Sequence, residues 1–430
     1  METLLLFLIM VILMIVGIPV FLSMGLTAVM AFLAWGRGDD LVMAALKMFE
    51  ATTSNPLLAV PFFILAGNLM NSGGITRRIF RFAKATVGFL PGGLGHVNVV
   101  ASMIFSGMSG SAIADAVGLG QIQMKAMTED GYDKPFSAAI TAASSTIGPV
   151  VPPSIPFVIY GSLTGVSVAR LFLAGFAPGV MMGLALMIAV FVIAIIRKYP
   201  RNKNWKLKEL LLSGLDALLP LMTPVILIGG ILGGIFTPTE ASVFACLYAL
   251  ILGLGIYREI KIKELPKIIW ETVRHSASLM FIMATANLLA YFLTLENVPD
   301  RLVGDLVGLG TSGGVVIALI MFIILMLGLF IEGNAIFVLT IPLFIPIVNH
   351  FHIPLLQFGV IMTLGIMIGN LTPPMGMCLF AVSRISQVSV AGIVKEVWPY
   401  LLGIFIVWLL IAYVPEFSTF IPTLLMGAEQ

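Results

Sequence analysis

The chain has 430 residues, of which 59% are hydrophobic and 10% charged, with a formal net charge of +2 and a mean hydropathy of +1.09. Soluble domains carry about 25% charged residues, so this composition excludes a water-soluble enzyme and makes lipid the solvent. The near-neutral charge gives no footprint for nucleic acid. Cys246 and Cys378 lie in apolar runs without metal-ligand neighbours and read as packing residues.

Apolar runs of about 20 residues are needed to cross a bilayer as helix. The N-terminus lacks a basic stretch before its apolar run, so the first run is expected to be a retained span and not a cleaved signal. In chain order, crossings are expected near 3–17, 19–36 and 56–72, then near 135–165 with prolines interrupting, then near 168–196. A second set follows near 213–232, 238–257, 275–295, 354–384 (again interrupted) and 390–414.

Two apolar segments, about 92–127 and about 309–347, carry a polar or small cluster at the midpoint. These clusters are Ser109-Gly110-Ser111 and Glu332-Gly333-Asn334. A polar turn halfway along an apolar stretch predicts a re-entrant hairpin, tolerated at depth only where protein or water shelters its backbone.

Basic residues set the orientation. Arg77, Arg78, Arg81 and Lys84 form one cluster, and Arg197, Lys198, Arg201, Lys203, Lys206 and Lys208 a second. Arg258, Lys261, Lys263 and Lys267 form a third. With roughly ten crossings and two hairpins all three fall in the cytoplasm and the N-terminus outside.

The halves share features at an offset near 221 residues: Gly92-Gly93 with Gly313-Gly314, Gly107 with Gly328, Gly148 with Gly369, and Pro152-Pro153 with Pro373-Pro374. Asn68 and Asn287, on apolar helices, are expected to brace the loops. Residues 1–196 and 213–430 thus read as two repeats joined by a cytoplasmic linker at 197–212. An odd number of crossings in the first half inverts the second. The fold class is therefore an all-α polytopic membrane protein of two inverted repeats, each with a re-entrant hairpin and a broken helix. Inverted repeats with discontinuous helices characterise many secondary transporters, whose sites lie at the interruptions.

The chemistry is expected at those interruptions. Gly148-Pro149-Val150-Val151-Pro152-Pro153-Ser154 and Gly369-Asn370-Leu371-Thr372-Pro373-Pro374-Met375 must unwind, because proline lacks an N–H and disfavours helix in the residue before it. Unwinding frees carbonyl oxygens for a small hard cation such as sodium, and the restarted helix offers N–H groups to an anion. Asp115, one turn past Ser111, is an intramembrane carboxylate and a candidate site residue. No Walker A or HExxH motif is present, so direct ATP hydrolysis and zinc proteolysis are not expected. Gly107-Met108-Ser109-Gly110 fits the short GxSG pattern of intramembrane serine proteases, a weak signal in a chain rich in Gly and Ser.

GPVVPPS and GNLTPPM, with SGSAIADAVGLGQI in the first hairpin and EGNAIFVLTIPLFIPI in the second, resemble the large membrane subunit of tripartite ATP-independent periplasmic (TRAP) transporters. As a whole the chain is most similar to the sialic acid systems. The resemblance implies the ion transporter superfamily, with a scaffold and an elevator-type transport domain. It implies a bacterial inner-membrane permease, not an enzyme, with a small four-helix membrane subunit and a periplasmic substrate-binding protein as partners. The implied function is sodium-driven symport of an acidic solute such as sialic acid (N-acetylneuraminate), with C4-dicarboxylates as the alternative substrate class. An ion channel and an intramembrane protease are the alternatives of another class. Carried over by position, one sodium falls by Ser109, Gly148, Val151 and Pro153, and a second by Gly333, Asn334, Gly369, Thr372 and Pro374. Substrate is expected near Ser109, Ser111, Asp115 and Ser154, with no organic cofactor.

Overall fold

The computed structural model describes residues 2–201, 206–308, 310–331, 333–374 and 376–427. Lys203, Glu332 and Met375, named above, lie outside the described residues. The described residues form helices and no strand.

The chain opens with a short helical hairpin, α1 (Glu2–Ile15) and α2 (Val20–Ala34), turning at Gly17 to Pro19. α3 (Leu41–Thr52) and α4 (Ala59–Ser72) form one path bent by 53°. The sequence reading began this crossing at α4 and missed α3, whose charged ends break the apolar run. α5 (Ile75–Val87) is a basic amphipathic helix that buries Ile75, Ile79, Phe80 and Ala83.

The first expected hairpin is present as α6 (Gly93–Ser109) and α7 (Ala112–Glu129). The first broken helix follows as α8 (Lys134–Ser145) and α9 (Ile155–Thr164). α10 (Val168–Arg197) has 30 residues, about 45 Å of helix. Beyond the linker come α11 (Leu207–Leu232), α12 (Pro238–Leu250, prolonged by a π-turn) and α13 (Leu265–Leu295). Thr237 and Glu240 close a capping box at the start of α12. α14 (Val298–Gly308) is a second amphipathic segment. The second hairpin, α15 (Gly313–Gly328) and α16 (Gly333–His350), and the second broken helix, α17 (Leu355–Gly369) and α18 (Met377–Ser386), follow in the expected places. α19 (Val390–Tyr413) and α20 (Glu416–Met426) end the described chain.

Among the described residues, six helices can cross a membrane by length and composition, or seven if the bent α3–α4 pair is one span, with shorter apolar helices such as α2, α9, α15, α17 and α18 beside them. Each of the roughly ten expected crossings coincides with a helix or, at 135–165 and 354–384, with a helix broken by prolines.

The packing separates two groups. α4 lies on α12 and α13, and α13 also lies on α2 and α3. α10 and α19 lie on each other and on the hairpins and broken helices. The contacts between halves are reciprocal: α7 meets α18, where Ile385 closes on Gly120, and α16 meets α9, where Tyr160 and Phe337 face each other at 6.3 Å.

Polar contacts collect at the two ends of the bundle. At the basic end, Arg78 pairs with Asp216 and Glu259 and stacks on Tyr257, and Arg81 pairs with Glu209. Arg197 pairs with Glu396 at 2.8 Å. Tyr132 donates to the Pro200 carbonyl at 2.9 Å and accepts from the Leu94 N–H at 3.2 Å. Burial pushes the Tyr199 phenol up to about 12, so it stays neutral and donates to Asp133. At the other end Arg37 pairs with Glu296, and Arg170 caps the end of α20 through the Met426 and Gly427 carbonyls.

Asn68 and Asn287 do not brace the hairpin loops. Asn68 donates to Thr272 of α13 at 3.0 Å, and Asn287 donates to the Lys47 carbonyl of α3 at 2.7 Å. Both tie neighbouring helices, α4 to α13 and α13 to α3.

Candidate functional site

The first hairpin turns at Gly110, which has a left-handed φ of 60° and ends α6. A side chain there would meet the Pro153 carbonyl at 2.7 Å and the Ile155 nitrogen at 3.2 Å. Glycine is therefore required twice, for conformation and for the approach of tip to broken helix. Gly67 of α4 closes on the same tip, since a Cβ there would lie 3.4 Å from the Ser109 Cα.

The break between α8 and α9 is a run of turns from Thr146 to Pro153, with the Pro152–Pro153 bond cis. The carbonyls of Gly148, Val151 and Pro153 accept no hydrogen bond among the described residues. Buried carbonyls are rarely left so.

Two of the expected substrate residues have local duties. Ser111 caps α7 by accepting from the Ala114 N–H at 3.4 Å. Ser154 caps α9 by accepting from the Phe157 N–H at 3.3 Å and donates to the Pro149 carbonyl. Both hold helix N-termini at the site, where exposed N–H groups suit an anion.

Ser109 and Asp115 come together across the tip: the hydroxyl donates to one carboxylate oxygen. The other oxygen has no hydrogen-bond partner and lies against Gly148, where a Cβ would stand 2.5 Å away. Asp115 is 1% exposed and is the one buried carboxylate among the described residues. No lysine or arginine is buried among them. Ser109, Asp115 and Gly148 thus form one group, and the free carbonyls of Val151 and Pro153 lie a few residues on along the break. Carboxyl, hydroxyl and carbonyl oxygens are the donor types that suit a hard cation.

The second break is built differently. The Gly369 carbonyl accepts from Thr372 N at 3.0 Å, and the Thr372 carbonyl accepts from Gly376 N at 3.2 Å. The Thr372 hydroxyl donates to Ile368 at 2.7 Å. Gly328 and Gly369 let hairpin and helix meet, since a Cβ on Gly369 would be 2.8 Å from the Gly328 Cα. Gly333 and Asn334 begin α16, and Gly333 packs on Ile366. Pro374 follows its own cis bond, as in the first break. The second set therefore brings Gly333 against Ile366 and Gly369 against Gly328, while the Gly369 and Thr372 carbonyls are engaged.

A polar seam was not anticipated. Asn98 donates to Thr141 at 2.8 Å and accepts from Ser144 at 2.7 Å. Ser102 donates to Ser144 at 3.0 Å, and Gln123 donates to the Asn98 carbonyl at 3.0 Å. This seam fixes α6 and α7 to α8 just below the break. The signal was available as Asn98, Ser102 and Ser106 at four-residue spacing on an apolar helix.

Residues 7–417 match the model of the family described as "Tripartite ATP-independent periplasmic transporter, DctM component". Hairpins meeting broken helices around a buried oxygen-lined site define a polytopic membrane transporter, and the sequence match specifies which. The chain belongs to the DctM component family of TRAP transporters, large membrane permeases of the bacterial inner membrane and not enzymes. It is similar to the sialic acid TRAP transporter large permease protein SiaM of Vibrio cholerae, 42% identical over 96% of this chain and 97% of that protein. It is also similar to the sialic acid TRAP transporter permease protein SiaT of Haemophilus influenzae, 43% identical over 96% of this chain and 67% of that protein. The C4-dicarboxylate TRAP transporter large permease protein DctM of Vibrio cholerae is 36% identical over 100% of this chain and 99% of that protein. In fold the chain is similar to the crystal structure of the YdaH transporter of Alcanivorax borkumensis, with a TM-score of 0.59 at 14% identity over 89% of each chain. The family's tripartite organisation implies a small membrane subunit and a periplasmic binding protein beside this chain.

Proposed function

We propose that this permease is a sodium-coupled symporter that imports an acidic organic solute, sialic acid, handed over by a periplasmic binding protein. One observation carries the coupling: the unpartnered oxygen of Asp115 lies beside Gly148, at a break whose Gly148, Val151 and Pro153 carbonyls are free. A cation there satisfies all of them. Ser109, Gly148, Val151 and Pro153 hold the first sodium, with Asp115 balancing its charge. Gly333, Asn334, Gly369, Thr372 and Pro374 hold the second. Substrate lies at the α7 and α9 N-termini near Ser109, Ser111 and Ser154, which orient those helix ends. No basic side chain is buried there, so sodium and the helix ends offset the substrate's charge. Sodium therefore binds before substrate.

The two packing groups support an elevator movement. α6 to α10 with α15 to α20 form the moving body, α1 to α4 with α11 to α13 the scaffold, and α5 and α14 the arms between them. The halves are inverted repeats joined by the 197–212 linker, and their reciprocal contacts suit alternating access. In this reading α4 and most of α13 belong to the scaffold and α10 and α19 to the body, in keeping with their packing.

Sialic acid is favoured because sialic acid permeases match at 42–43% identity while C4-dicarboxylate permeases match at 36%. The test is binding-protein-dependent uptake in proteoliposomes holding the full complex, with sialic acid and a C4-dicarboxylate compared. Uptake of the dicarboxylate alone would reassign the substrate.

A further inference from the structure

α13 changes character along its length. Its outer half, from Ile282 to Leu293, is almost wholly buried. Its inner half, from Leu265 to Phe281, is fully buried only at Ile268, Thr272 and Ser276, with Leu265, Leu279 and Met280 half-buried. The cause is the short α1–α2 hairpin. α2 runs beside α13 with Gly25 on Thr285 and Phe21 against Phe281 at 5.7 Å between rings. One residue before Phe21 the helix begins, so nothing from α2 covers α13 below that level.

The uncovered half carries a pattern unlike the faces of α11 and α12. Trp270, Val273, Ala277 and Phe281 recur at helical spacing and are all exposed, Trp270 by 68% and Phe281 by 58%. Ala277, small and central, lets a second helix approach closely. Arg274, beside this stripe, is exposed and has no hydrogen bond or ion pair among the described residues. On the antiparallel α4, Asn68 bonds Thr272 and lies about one helical turn above the end of that helix at Ser72. Arg274 is therefore deeper than the end of α4, where an unpaired cation facing lipid is costly. The large exposed apolar residues of α11 and α12 from Leu215 to Ile251, Leu215, Leu218, Val225, Leu247 and Ile251 among them, are aliphatic.

We infer that the Trp270–Phe281 face of α13 docks a transmembrane helix of the small membrane subunit, and that this helix presents a carboxylate to Arg274. The inference rests on the family assignment for the existence of that subunit. The apolar stripe supplies the packing, Ala277 the close approach, and Arg274 the register and partner choice.

The full chain, co-expressed with a tagged small subunit, carries benzoylphenylalanine in place of Trp270, Ala277 or Phe281, and, as a control, of Val225 on α11. Illumination is expected to join the small subunit to the α13 positions and not to Val225. Separately, Ala277→Trp and Arg274→Glu are each expected to lower recovery of the small subunit about tenfold, the loss of one strong anchor, with an unchanged gel-filtration profile of the large chain. Adducts from Val225 in place of α13 overturn the surface while leaving the partnership intact. Adducts with a second copy of this chain, or with lipid alone, also overturn it. Failure of the wild-type chain to retain any small subunit overturns the partnership and the surface together. Should a point variant misfold, the photo-crosslinks decide.

Discussion

The Ser109 hydroxyl donates to Asp115 across the tip of the first hairpin, while the other oxygen of that carboxylate rests against Gly148 without a partner. This relationship joins the hairpin tip to the break. In the proposed mechanism a cation completes the group. Asp115→Ala is then expected to abolish transport while the permease still assembles with its small subunit. Uptake by the purified variant complex measures this. Wild-type uptake would return Asp115 to a structural role.

Gly148 has no room for a methyl group, because a Cβ would meet the Asp115 carboxylate at 2.5 Å. Gly148→Ala must push the carboxylate off or move the break. Overpacking of this kind costs about 1–3 kcal/mol. The variant is expected to melt at a lower temperature and to need more sodium for half-maximal uptake. A sodium titration identical to wild type would show that Gly148 lies outside the coupling site.

Much of this arrangement was legible in the sequence. Prolines and glycines marked both breaks and both tips, because only they force helices to end inside an apolar run. Ser109 is expected beside Gly148 in one site and beside Asp115 in another, and the fold brings all three together. The local duties of Ser111 and Ser154 were not legible. A serine before an apolar run reads equally as a cap or as a ligand, and only the bonds to Ala114 and Phe157 decide for capping. Asn68 and Asn287 misled for a related reason: their shared offset is real, but their partners come from helices that sequence does not align. The amphipathic α5 and α14 were missed because their polar faces read as loops.

The polar seam under the first break is expected to be a strong stabilising element. Asn98→Leu would remove the side-chain bonds to Thr141 and Ser144, while the bond from Gln123 to the Asn98 backbone carbonyl would remain. Leaving buried polar groups unpaired costs roughly 1–3 kcal/mol for each. Thermal unfolding in detergent should show a drop larger than that of Ser106→Ala, whose hydroxyl bonds only within its own helix.

At the basic end, Tyr132 joins the start of the first hairpin to the linker by bonding both Leu94 and Pro200. Tyr132→Phe removes both bonds and is expected to cost about 1–2 kcal/mol. The same melting assay reads it. An unchanged midpoint would mean that ring packing alone holds this junction.

Sodium coupling is tested most directly by uptake of radiolabelled sialic acid into proteoliposomes holding the full complex with its binding protein. Each net positive charge carried inward gains about 2.3 kcal/mol per 100 mV of inside-negative potential. The account predicts accumulation only with sodium outside, increased by an inside-negative potential and lost in Asp115→Ala. Equal accumulation with potassium replacing sodium on both sides would contradict it.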